Sequence, residues 1–325
     1  MADGTGTMNN EFDVVVIGGG AAGLNGALIL ARSRRSVLVI DAGEPRNAPA
    51  KGVHGFLSRD GLPPAELQAL GRAEVERYGG QIRDGRVETA VKEGDGFRVN
   101  LADGQHIRAR RLLVTTGLVD ELPDVPGVRE RWGHDVLHCP YCHGWEVRDQ
   151  AIGILATSTR AMHQALLFRQ LSTDVIVFAH TSSPFSAEDT EQLAALDIQV
   201  IDGEVARLEI EHDRLVGVRL VDGTVIARDA LVVATRMVAR SEMLGPLGLR
   251  PTEHPMGFGE SIAGDPTGLT AVPGVWVAGN VKNLAGFVVA AAAEGALAGA
   301  AINADLATAD ARRAVEAARK QLVRA

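Results

Sequence analysis

The chain has 325 residues and two cysteines, and these stand together as Cys139-Pro140-Tyr141-Cys142, with His143 next. Thiols at this spacing can close a small ring and reopen it. A helix N-terminus beside one of them would lower its pKa and make the thiolate reactive. The pattern therefore reads as thiol–disulfide chemistry, with a histidine at hand to take or give the proton. Zinc is the competing reading of a C-x-x-C pair. It needs about four tetrahedral ligands, whereas no second C-x-x-C exists, and His138 and His143 adjoin the cysteines too closely to complete a site. No metal is expected.

A second constellation lies near the N-terminus. Gly18, Gly20 and Gly23, with Ala22 between, form G-x-G-x-x-G. The first glycine allows a tight turn, the second lets a pyrophosphate approach the backbone, and the third lets helix and strand pack closely. An apolar, β-branched run at 14–17 predicts a buried strand before it, and 24–32 a helix after it. A second strand at 37–40 ends in Asp41, placed to hydrogen-bond a ribose. A bare G-x-G-x-x-G says little; with strand, helix and an acid about 20 residues on, it marks a dinucleotide site.

The elements that must hold these groups repeat. Residues 101–116 resemble 220–235, and residues 14–41 match 152–179 without a gap at an offset of 138. Two tandem Rossmann-like α/β domains follow, each a three-layer ββα dinucleotide fold. In the second copy Gly18, Gly20 and Gly23 become Ala156, Ser158 and Ala161, and Asp41 becomes Ala179. Cβ atoms then stand where the backbone must turn sharply and touch phosphate. The next residues, His180-Thr181-Ser182-Ser183-Pro184, hold no arginine for a 2′-phosphate. The fold is expected to persist without ordinary NADPH binding. The second domain, 118–236, is inserted in the first, 1–117 plus 237–325. Residues 1–11 read as a polar leader and 308–325 as a C-terminal helix.

Composition narrows the function classes. Hydrophobic residues make up 46% and charged residues 23%, enough for a large core. The net charge is −8 with no basic run, which disfavours nucleic acid and acidic membranes. No stretch reaches the roughly 18 uninterrupted apolar residues of a membrane span. A cytoplasmic location is expected, where a lone cysteine pair is catalytic rather than structural.

With these motifs in this order, the chain resembles the low-molecular-weight thioredoxin reductase family over about residues 12 to 305. That family has an N-terminal G-x-G-x-x-G, an inserted domain opening on C-x-x-C, and a return through a V-x-x-A-G-D-type strand and a small-residue helix. Here these are Gly18–Gly23, Cys139–Cys142, residues 276–280 and residues 287–301, with Val114-Thr115-Thr116-Gly117 at the A-T-G strand end. The resemblance implies FAD as cofactor, a homodimer, and a cofactor-contacting set of Gly18, Gly20, Ala22, Gly23, Asp41, Asn47, Val87, Thr116, Gly117, Gly279, Asn280, Phe287 and Val288.

The departures are informative. The proton-donating aspartate after C-x-x-C is His143, the ribityl-binding aspartate is Asn280, and the Arg-Gln opening the last helix is Gly286-Phe287. This set is similar to the dithiol oxidase branch, of gliotoxin and holomycin type, which closes disulfides with O2 as acceptor and needs no nicotinamide. On that likeness Cys142 is the flavin-side sulfur, Cys139 meets the substrate, and His143 acts as base. The partner would be a small-molecule dithiol or a thioredoxin-like protein. Reductases or relays fed by ferredoxin, NADPH or another donor share the same parts, and a redox sensor is a third reading. His138 and His54 are read as loop residues, and Tyr141 and Trp145 as pocket-shaping or merely packed.

Overall fold

The computed structural model describes residues 10–158 and 160–323. The leader expected at 1–11 falls almost wholly outside them. Two compact units divide the chain. One takes the residues up to Arg46, Ala65–Val119 and those from Met237 on; the other takes Asn47–Pro64 and Asp120–Arg236.

The first unit begins with β1 (Glu11–Ile17), α1 (Ala21–Arg32), β2 (Val37–Asp41), α2 (Pro64–Arg77), β3 (Gln81–Asp84), β4 (Val87–Glu93), β5 (Gly96–Leu101) and β6 (His106–Val114). β7 (Leu118–Glu121) leads to the second unit: α3 (Val128–Arg131), β8 (Val136–Leu137), α4 (Pro140–His143), β9 (Ile152–Leu155), α5 (Arg160–Phe168), β10 (Val175–Phe178), α6 (Ala187–Ala195), β11 (Gln199–Ile201), β12 (Val205–Glu211), β13 (Arg214–Leu220), β14 (Val225–Ile226) and β15 (Ala230–Val233). The chain returns through β16 (Arg236–Ala239), β17 (Thr252–Glu253) and β18 (Gly259–Ser261) to β19 (Val275–Val277) and α7 (Val288–Leu322).

The first sheet runs β3-β2-β1-β6-β5-β4, with β19 on β6. Strands β3, β2, β1, β6 and β19 are parallel, and β4 and β5 are antiparallel. Val14, Val15 and Val16 are all fully buried, as a strand covered on both faces requires. The second unit repeats the frame as the parallel sheet β11-β10-β9-β15-β8, beside the β12-β13-β14 meander. The registers match the two sequence repeats: Val14 pairs with Val37 and Ile152 with Val175, and Ile17 pairs with Val114 and Leu155 with Val233. Both halves are Rossmann-like α/β folds.

Two expectations change. Residues 47–64 were assigned to the first domain but pack with the second unit. Pro49 lies against Gly133, where an added Cβ would come within 2.5 Å, and His54 reaches Glu146 at 3.3 Å. The tail from 308 is no separate helix either, because α7 runs 35 residues without a break. Its length and composition would suit a membrane span. Yet Ala291, Ala292, Gly295, Ala298, Gly299, Ile302 and Leu306 are buried, and Gly295 meets α1 so closely that a Cβ would lie 1.9 Å from Ala22 O. Further along, Asp305 takes Arg111, and Asp310 takes Arg35 and Arg110.

Candidate functional site

The β1–α1 turn separates two kinds of glycine. Gly18 has φ +106°, and a Cβ there would sit 2.5 Å from Thr115 O; at Gly23 it would sit 1.9 Å from Gly18 O. Those two are demanded by the protein's own packing. Gly20, the N-cap of α1, has φ −77°, and a Cβ would meet nothing within 4 Å. No side chain caps this helix. The helix thus starts without a side-chain cap beside open space at Gly20, which suits a pyrophosphate.

Around that turn stand most of the expected cofactor residues. Ala22 opens α1. Asp41 ends β2, only 7% exposed, and its carboxylate accepts from Gly19 N (3.2 Å), Gln68 Nε2 (2.7 Å) and Arg72 Nη2 (3.1 Å). Gly279 has φ +74°, and a Cβ there would lie 2.9 Å from the Ala22 methyl. Phe287 caps α7, and Val288 is its first residue. Thr116 and Gly117 follow β6 and bond to Arg240, Thr116 Oγ1 donating to its carbonyl and Gly117 O accepting its N–H. Val87 is buried in the core at the head of β4. Asn47 falls in the second unit with 47–64.

Asn280 does more than replace an aspartate. Its Nδ2 donates to Asn283 O (2.8 Å) and Gly286 O (2.9 Å), tying down the loop before α7. Glu294 braces the same loop, accepting from Gly279 N (3.0 Å) and Asn283 Nδ2 (2.8 Å). The Asn280 amide oxygen is left for a ligand hydroxyl. Gln68 and Arg72 went unremarked in the sequence, since no motif marks them. The open space at Gly20, the uncapped α1 and this amide together fit FAD.

The matching turn of the second unit is built otherwise. Ala156 is fully buried and replaces the positive-φ glycine, while its N–H still donates to Phe178 O as Gly18 N donates to Ile40 O. Ser158 Oγ is buried without a hydrogen-bond partner. The half-buried Arg160 guanidinium donates to Thr235 O just past β15.

Cys139 and Cys142 are joined in a disulfide, with Cα atoms 5.3 Å apart. Cys139 is the N-cap of α4 and Pro140 its first residue, a position that suits proline. His143 N and Gly144 N donate back to Cys139 O and Pro140 O (3.3 and 2.9 Å). Only glycine fits at 144, because a Cβ would come within 2.2 Å of Pro140 O and 2.4 Å of Leu171 Cδ1. His143 Nε2 is buried with no hydrogen-bond partner. Burial holds the His143 imidazole below its ordinary pKa; the Glu146 carboxylate pulls it up, and the His54 charge pushes it down. At neutral pH it is an uncharged base.

His54, read as a surface loop residue, is instead drawn to the disulfide turn. Its Nε2 lies 3.3 Å from Glu146 and its Nδ1 3.5 Å from Asp60. His54, Gly55, Asp60, Tyr141, Trp145 and Glu146 line an open cavity of about 540 Å³ on the turn that carries the cysteines. The local signal was weak: a loop closed by Val53 and Leu62 over a glycine-rich stretch.

Comparison with known proteins agrees with this assembly. The sequence profile of the pyridine nucleotide-disulphide oxidoreductases matches residues 12–295. Thioredoxin reductase tcpT of Claviceps purpurea is 30% identical over 313 residues, spanning 92% of this chain and 96% of that protein. Thioredoxin reductase sirT of Leptosphaeria maculans is 30% identical, spanning 91% and 95%. Among solved structures, HlmI superposes with a TM-score of 0.90 at 48% identity, over 96% of this chain and 98% of that one. An oxidoreductase from Agrobacterium tumefaciens gives a TM-score of 0.85 at 37% identity, over 92% and 99%.

Proposed function

The chain belongs to the pyridine nucleotide-disulphide oxidoreductase family, and within it we propose an FAD-dependent dithiol oxidase that closes a disulfide in a small dithiol, with O2 as acceptor. At the coarser level it is a thioredoxin-reductase-like disulfide oxidoreductase and a flavoenzyme. The observation that carries the finer reading is the half-buried, uncharged His143, its Nε2 unpartnered, directly after an exchangeable disulfide. A carboxylate there, with a reference pKa near 4, would be a poor acceptor for a thiol proton.

His143 takes the proton from the first substrate thiol. That thiolate attacks Cys139 Sγ, the Cys139–Cys142 bond breaks, and Cys142 leaves as a thiolate. The second substrate thiol loses its proton and attacks its own mixed-disulfide sulfur, releasing the product disulfide and the Cys139 thiolate. The substrate has then given up two electrons and two protons. FAD, held by the open turn at Gly20 and the Asn280 amide, would supply a two-electron carrier between the reduced cysteine pair and O2, with H2O2 as the by-product. The second unit supplies the cysteine turn rather than a nicotinamide, since Ala156 and Ser158 stand where phosphate would need glycines. The names of the fungal relatives favour a second reading, a reductase acting on a thioredoxin-like protein.

An anaerobic flavin titration tests this. Dithiothreitol should bleach the oxidised flavin band, NADPH should not, and air should restore the band with H2O2 formed. Rapid bleaching by NADPH would return the protein to the ordinary reductases.

A further inference from the structure

We propose that the cavity beside the disulfide turn selects a planar small dithiol that is neutral or cationic and rich in N–H donors, and turns anionic thiols away. The inference rests on the dithiol oxidase reading and narrows its substrate class.

Size comes first. At about 540 Å³ the cavity falls within the roughly 300–1,000 Å³ of small-molecule sites. The cavity adjoins the cysteine turn: of its lining residues, Tyr141 lies between the two cysteines in sequence, and Trp145 and Glu146 follow closely. Two large aromatics line the cavity, Tyr141 66% and Trp145 65% exposed. Such side chains are usually covered, and a flat ligand would cover them by stacking. Trp145 is already held, because the Arg148 guanidinium stacks 4.2 Å from its ring centre and donates to Trp145 O.

Charge sets the preference. Asp60 and Glu146 line the cavity with His54 between them, and neither lysine nor arginine is among the lining residues. Arg148, two residues past Glu146, is engaged on the tryptophan. Asp60 is fixed by Gly55 N donating to its Oδ1 (2.9 Å), within a loop closed by the Val53–Leu62 bridge and Gly61 N to Val53 O (2.8 Å). That backbone bond also holds the Asp60 carboxyl below its usual range, so it remains ionised at neutral pH. The free acceptors of two carboxylates call for N–H donors or an ammonium group, and a ligand carboxylate would meet like charge.

The test compares three dithiols on one carbon chain: dihydrolipoate (anionic), dihydrolipoamide (neutral) and its N-(2-aminoethyl) amide (cationic), with dithiothreitol as a minimal reference. The cationic-to-anionic ratio of kcat/KM should be about tenfold at low salt, the order expected for unit charges a few ångströms apart at the dielectric of water. The ratio should shrink as salt rises. Asp60→Asn should cut it to about threefold, since one of two carboxylates is lost, and Trp145→Ala should raise KM for the three amphiphilic dithiols more than for dithiothreitol. A ratio near one at low salt, or one that Asp60→Asn and salt leave unchanged, overturns the inference while leaving the oxidase reading intact. If dithiothreitol and all three fail to bleach the flavin anaerobically, both fall.

Discussion

Gly20→Ser separates what the cofactor requires from what the fold requires. At Gly18 a side chain faces φ +106° and a carbonyl 2.5 Å away, so Gly18→Ala should destabilise the apoprotein by the roughly 1–3 kcal/mol of a strained residue and more for the clash. Gly20 has φ −77° and ψ −173°, with nothing within 4 Å of its absent Cβ. Serine is itself a favourable N-cap, and the second unit carries Ser158 at the matching place. The Gly20→Ser apoprotein should therefore melt no lower than wild type. FAD binding should suffer instead, because the pyrophosphate must occupy the space the side chain takes. Overpacking of this kind costs about 1–3 kcal/mol, or about 5- to 150-fold in Kd. The assay is thermal melting of flavin-stripped protein, followed by FAD titration read by flavin fluorescence. An FAD affinity within twofold of wild type, or an apoprotein Tm as depressed as that of Gly18→Ala, would refute the assignment of Gly20 to the cofactor.

Two further outcomes are expected. Because burial lowers the His143 pKa from 6.5, dithiol-driven flavin reduction should rise with pH through a limb centred below 6.5 and then level off. His143→Asn should abolish the limb and slow the step by about 10²–10⁴-fold. Glu146→Gln removes the charge that raises this pKa, so the limb should move to lower pH; a move upward contradicts the geometry. Asn280→Asp exchanges a donor amide for a carboxylate facing two carbonyls at 2.8 and 2.9 Å. It should cost about 1–3 kcal/mol, seen as a Tm lower by several degrees; an unchanged Tm would mean that Asn280 does not hold the loop.

What the sequence made legible was local. The glycine turn, the cysteine turn and the duplicated strand registers are each written in fewer than about thirty contiguous residues, the span of one βαβ unit. What it hid depends on packing between distant segments. His54 and Asp60 precede Glu146 by more than eighty positions, and nothing near them announces that 47–64 packs with the second unit. Asn280 was recognised as a polar substitute, yet its part as a donor to Asn283 O and Gly286 O follows from where the chain bends before α7. The unbroken α7 was obscured because residues past 308 are charged; of these, Asp310 pairs with Arg35 and Arg110 of the first unit, and the other charged residues described there are exposed.

A nucleotide-type sheet whose phosphate turn has lost its glycines needs another reason to persist, and the cysteine turn provides one. β8 pairs with β15 through Val136 and Leu137 and so delivers His138 and Cys139 to the C-terminal end of the sheet. From α5, Gln164 Nε2 donates to both His138 O and Val233 O, clamping the turn to helix and strand together. Leu171, just after α5, packs so close to Gly144 that no side chain fits there. Each contact uses the strand order and the crossover helix; none uses the β9–α5 phosphate turn. Ala156 can thus fill the core and Ser158 can replace a glycine without disturbing the disulfide, whereas loss of β8 or of Gln164 would release it. The same frame that binds a phosphate with one loop holds a redox turn with another.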